Sequence, residues 1–171
     1  MYWRHWVTRP AILIAGDSYS DCTYEINGWA ATHTWIDLLR EDYDVTAVGV
    51  AGATNYEILL QCLEHRRPWH RSIIISLAPL ARGGDIRQSI KAVKQLTKIK
   101  NAYIWSSFVD FRNIKDVDWQ PFVSYNERYM KIMYYNAYEN KQFCYTGCHF
   151  TREGNEAVAE HMKLILGGND E

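Results

Sequence analysis

Ser18 ends the stretch Ala11-Ile12-Leu13-Ile14-Ala15-Gly16-Asp17-Ser18, where an apolar run of strand character stops at a glycine and two small polar residues. Open α/β sheets place their chemistry at the carboxyl ends of parallel strands, which makes Ser18 a candidate nucleophile. Gly-Asp-Ser is also ordinary turn composition. A serine hydroxyl is a weak nucleophile alone; it needs a base in reach and donors for the oxyanion that its attack creates.

Other reactive residue types are weaker signals. Cys144, Cys148 and His149 lie close together but lack a distant Cys/His set at zinc-ligand spacing. Core cysteines are the simpler reading, and no metal site is expected. His5, His33, His65, His70 and His161 have no partner spacing of note. Arg82-Gly83-Gly84-Asp85 reads two ways. Arg82 could meet an anionic group of a substrate, or the loop is a flexible connection in which Asp85 caps the next helix. The seven Trp, twelve Tyr and five Phe are mostly core and rim packing, or else stacking platforms for a planar ligand.

The elements that must position Ser18 alternate strand and helix, the pattern of a parallel sheet covered on both faces. Strands are expected over 11–15, 44–50, 71–77 and 102–108, with a short last strand at 142–145. Helices are expected over 28–41, 56–66, 86–98 and 125–139. Ile58, Leu59, Cys62 and Leu63 should share one side of the second helix. Asp85, Ser124 and Thr151 are the expected caps of the third, fourth and last helices, and Val158, Met162 and Ile165 line the inner face of the last.

At 171 residues the chain reads as one domain over 1–171, long enough to bury a core. A formal net charge of -1 without charge blocks points away from nucleic acid and anionic membranes. No apolar run approaches the roughly 20 residues of a membrane span. The first residues, Met1-Tyr2-Trp3-Arg4-His5-Trp6, lack the apolar core of a signal peptide. Four cysteines are too few for a disulfide scaffold, so reduced thiols and a cytoplasmic location are expected. The loops after the first two strands lack a phosphate-cradling glycine pattern, which argues against a nucleotide site.

Taken together, Gly16-Asp17-Ser18 after the first strand, Gly52 after the second and His149 before the last helix resemble the GDSL/SGNH hydrolase family. These are esterases and lipases on a flavodoxin-like, three-layer α/β/α sandwich with a parallel sheet. The resemblance runs from the first strand to the last helix. It implies Ser18 as nucleophile, His149 as base, and the backbone N–H groups of Ser18 and Gly52 as the oxyanion hole. The family's third block carries an oxyanion-binding Asn; here Leu77-Ala78-Pro79-Leu80-Ala81 puts Leu80 in its place. Its fifth block carries an acid three residues before the histidine; here Thr146-Gly147-Cys148-His149 puts Thr146 there.

The resemblance thus implies a Ser-His dyad acting on a small ester or an acylated carbohydrate, with no cofactor. Asp17, Thr146 and Asp21 are candidates to orient or support the dyad. Asn55 and Arg82 are candidates for substrate contact or for replacing the lost oxyanion donor. The alternative is a catalytically weak or inactive module of the same fold, serving as a binding or structural part of a larger protein assembly.

Overall fold

The structure, a computed structural model, describes residues 8–21, 34–106, 114–115, 144–145, 149–150 and 152–167. Four strands form a parallel sheet in the order β2-β1-β3-β4: β1 Ala11–Ala15, β2 Asp44–Ala47, β3 Ser72–Ser76 and β4 Ala102–Trp105. Leu13 of β1 stands between Thr46 of β2 and Ile73 of β3. Central parallel strands are buried on both faces and so read as continuous apolar runs. That is why AILIA and SIIIS were recognisable as strands without any alternation.

The two faces carry separate apolar cores. Leu13, Ala15, Ile73, Ile75 and Ile104 pack against α2 (Asn55–His65) and α3 (Ile86–Leu96) through Ile58, Leu59, Cys62, Val93 and Leu96. Ile12, Ile14, Ile74 and Trp105 pack against α1 (Trp35–Leu39) and α4 (Arg152–Gly167) through Trp35, Ile36, Leu39, Val158 and Met162. The result is the three-layer α/β/α sandwich the sequence implied. Among the described residues, Trp35 and Trp105 belong to this packing: both are fully buried and meet edge to face, with ring centroids 5.9 Å apart.

Local signals set the helix starts. Thr34 and Thr54 each accept from the backbone N–H three residues on, and the carboxylates of Asp37 and Glu57 reach back to the cap N–H. These reciprocal bonds satisfy donors that the first helical turn leaves unpaired. Asp85 caps α3 as expected, its carboxylate accepting from Gln88 N–H at 2.9 Å.

Several boundaries differ from the sequence reading. The second strand stops pairing as a ladder at Ala47, although Val48 and Val50 still donate to the carbonyls of Ile14 and Gly16. Of the helix expected over 28–41, α1 covers 35–39, and residues 22–33 lie outside the described residues. Leu63 is on the solvent side of α2, 63% exposed, because Ile58, Leu59 and Cys62 already fill the inward stripe. The short strand β5 (Cys144–Tyr145) is not an edge of the main sheet among the described residues. It pairs antiparallel with β6 (His149–Phe150), Tyr145 opposite His149. The helix expected over 125–139 and the caps Ser124 and Thr151 lie outside the described residues.

Candidate active site

Strand order 2-1-3-4 places the topological switch point beside β1, where chain crossovers leave to opposite sides and where open sheets of this kind bind their ligands. Ser18 stands there, as the first residue of a 3-10 turn, Ser18–Ser20, immediately after β1. Asp17 caps this turn, and its carboxylate accepts from Tyr19 N–H at 3.2 Å. Ser20 N–H closes the turn on the Asp17 carbonyl at 2.9 Å. Trp35 Nε1–H holds the Tyr19 carbonyl at 2.7 Å, so the turn is fastened at several points. Ser18 itself is half-buried between these anchors.

The loop after β2 is bound to this turn. Val50 N–H donates to the Gly16 carbonyl at 3.1 Å, and Ala51 N–H donates to Asp21 Oδ2 at 2.9 Å. Gly49 packs directly on the turn: a Cβ there would overlap the Ser20 carbonyl. Gly52 follows with φ +82°, and a Cβ there would meet only open space. Glycine occupies that left-handed conformation without cost. Among the described residues, neither Gly52 N–H nor Ser18 N–H has a hydrogen-bond partner. Unpaired backbone donors beside a nucleophile are the kind of group from which an oxyanion site is built.

The loop after β3 contributes differently. Leu80 packs against the α2/α3 core, an apolar side chain with nothing to donate. Arg82 Nη1 reaches Asp17 Oδ2 at 2.9 Å. Asp17 is fully buried; desolvation pushes its carboxyl above the usual carboxylate range, against the opposing pull of Tyr19 N–H and the Arg82 guanidinium.

The remaining candidates separate into two groups. Asn55 is fully buried, and its amide is spent within the fold: Nδ2 donates to the Ala78 carbonyl and to Ser89 Oγ, each at 2.8 Å, while Oδ1 accepts Ala78 N–H at 2.9 Å. It braces the loop after β3 and offers no free donor to a substrate. Asp21 ties the loop after β2, as above. Thr146 and the side chain of His149 lie outside the described residues, as do Cys22 and Cys148. The backbone of His149 is placed in β6, and its neighbour Phe150 packs on Tyr19, the neighbour of Ser18, with ring centroids 4.9 Å apart.

Sequence reasoning missed Gln61. Its amide takes both backbone groups of Gly16, accepting the N–H at 2.9 Å and donating to the carbonyl at 3.2 Å. A glutamine in mid-helix carries no local signal for a partner 45 residues away. Among the described residues no group of His, Cys, Asp and Glu side chains is arranged to hold a metal ion, and no helix is long and apolar enough to cross a membrane.

No family model matches this sequence, and no curated protein matches it. Solved structures share the fold. LAE5, an alpha/beta hydrolase enzyme from the metagenome of Lake Arreo, Spain, superposes with a TM-score of 0.57 at 11% identity, covering 96% of this chain and 98% of its own. A protein from Streptococcus pneumonia provisionally described as a platelet activating factor gives 0.53 at 14% identity, over 96% and 86% of the two chains. AlinE4, a SGNH-hydrolase family esterase, covers 96% of this chain and 97% of its own at 16% identity, with a TM-score of 0.45. At these identities the first two establish a common α/β architecture.

Proposed function

We propose that this protein is a serine ester hydrolase in which Ser18 is the nucleophile and His149 its base. The observation that carries the reading is the pair of backbone N–H groups, Ser18 and Gly52, unpartnered among the described residues, on two loops bound to each other at the carboxyl end of β1. Support for the base comes from the Tyr19–Phe150 contact, which joins the segment after Ser18 to the segment after His149. In the reaction His149 takes the Ser18 proton as the hydroxyl attacks an ester carbonyl. The oxyanion is received by the two N–H groups. Its collapse breaks the ester C–O bond and expels the alcohol, which takes the proton from His149, and the neutral His149 then activates the water that hydrolyses the acyl-enzyme. The substrate class proposed is a small ester, such as an O-acetyl group on a carbohydrate, on the strength of the family resemblance.

Leu80 on the core, where the resembled family has an oxyanion-binding Asn, favours a second reading of weak or absent catalysis within a binding module. Losing one such donor costs on the order of 10²–10³ in kcat. The two readings part on one experiment. Turnover of p-nitrophenyl acetate and labelling by a fluorophosphonate, both lost in Ser18→Ala, are the expected results. Absence of both in the unaltered protein decides for the binding module, and turnover that survives Ser18→Ala removes Ser18 as nucleophile.

A further inference from the structure

We propose that Arg82 is a positioning residue for Ser18, acting through Asp17 and not through the substrate. The proposal rests on the esterase reading for its kinetic consequence and on geometry for its substance. Asp17 is the cap of the turn that begins at Ser18, and it has no exposure to solvent. One carboxylate oxygen accepts Tyr19 N–H at 3.2 Å; the other accepts Arg82 Nη1 at 2.9 Å. A buried carboxylate is costly unless it is paired and hydrogen-bonded. Arg82, about one quarter exposed, supplies that pairing across 65 residues of sequence. Without the guanidinium the carboxyl takes up a proton more readily, its grip on Tyr19 N–H weakens, and the turn that aims Ser18 loses its cap.

Arg82 is itself held for this task. Arg82 N–H donates to the Pro79 carbonyl and Gly84 N–H to that of Ala81, which folds residues 79–84 into a tight loop. Gly83 has φ +80°, and a Cβ there would lie 2.6 Å from Thr54 Cγ2, the cap of α2. Only glycine fits that conformation and that contact. The Arg82 loop is thereby seated against the loop that presents Gly52. One ion pair links the loops after β1 and β3, and the glycine seat links the loop after β3 to that after β2.

The test uses the full chain with Arg82→Gln, Arg82→Lys, Asp17→Asn and the double variant Arg82→Gln/Asp17→Asn. With p-nitrophenyl acetate, Arg82→Gln is expected to lower kcat roughly 10- to 100-fold with little change in KM, the loss typical of a misaligned reacting group. Its acid limb moves to higher pH, and Arg82→Lys recovers most of the rate. In the Asp17→Asn background Arg82→Gln adds nothing, since the two residues act as one unit. A rise in KM with kcat unchanged overturns the proposal, because it makes Arg82 a substrate contact. A second readout needs no catalysis: the Tyr19 amide resonance is expected to titrate with Asp17, at a midpoint that Arg82→Gln raises and Arg82→Lys leaves nearly in place. If the unaltered protein turns over no ester, the esterase reading fails and the amide titration alone decides. A Tyr19 midpoint that Arg82→Gln leaves unmoved overturns the proposal in either case.

Discussion

Two amide side chains on α2 do for loops what ladder bonds do for strands. Gln61 takes both backbone groups of Gly16, and Asn55 takes both of Ala78, one residue pair after β1 and the other after β3. Buried backbone groups must be paired, and beyond the strand ends the neighbouring segments supply only some of the partners, as where Val50 N–H meets the Gly16 carbonyl. Asn55→Ala leaves the N–H and carbonyl of Ala78 buried without a partner, and each orphan costs about 1–3 kcal/mol. The expected loss is roughly 2–4 kcal/mol in urea unfolding, whereas Asn55→Ala at an exposed substrate contact would leave the midpoint unchanged. None of this was visible in sequence. Ser18 could be picked out because it ends an apolar run, and Gly52 because its block resembles that of a known hydrolase family. Gln61, Ser89 and the Asp17–Arg82 pair could not, because their partners are fixed only once β1, β3 and α2 are packed.

At the scale of elements, legibility followed periodicity. β1 and β3 were readable because burial on both faces removes polar residues from the run, and α3 because Asp85 announces its start. Leu63 misled because an apolar residue beside Cys62 fits the helical spacing, yet the inward stripe of α2 has no room for it. The start of α2 also borders the Gly52 loop, so its cap bears on the site. Thr54 accepts Glu57 N–H, and Glu57 Oε2 accepts Thr54 N–H at 2.7 Å. Thr54→Ala is expected to cost about 1 kcal/mol. These bonds to Thr54 hold the Glu57 carboxyl below its usual 4.5. A carboxyl depressed in the folded state contributes stability that is present above its unfolded value and lost as pH falls through the folded one. Thermal melts from pH 6 to pH 3 should therefore fall more steeply for the unaltered chain than for Glu57→Gln. Parallel curves would remove Glu57 from the cap.

At the scale of the whole molecule, among the described residues the buried His70 and the half-buried His161 are both held below the usual imidazole range, and they sit in different layers. His70 lies in the connection between α2 and β3, 8% exposed, with Nδ1 accepting Arg67 N–H at 3.1 Å. Burial and the neighbouring Arg67 charge hold it below the usual 6.5, against a smaller upward pull from Asp44. His161 lies on α4, in the layer that covers the opposite face of the sheet, and burial lowers it as well. In each case the folded protein binds a proton less readily than the unfolded chain. Between the depressed values and about pH 6.5 the unfolded state therefore holds more protons, and stability rises with pH across that window. The full contribution is present above pH 6.5 and is lost as the pH drops through the folded values. A protonated His70 Nδ1 can no longer accept Arg67 N–H, so the connection into β3 loosens along with the α4 layer. Urea midpoints measured from pH 8 to pH 5 should be level down to about 6.5 and then decline. His70→Asn, which keeps an acceptor but does not titrate, should remove part of the decline, and His70→Asn with His161→Gln should remove more. An unchanged decline in the double variant would assign acid sensitivity to other groups. Cys62 does not enter this balance, since burial pushes its thiol up to about 12 and keeps it neutral throughout the range.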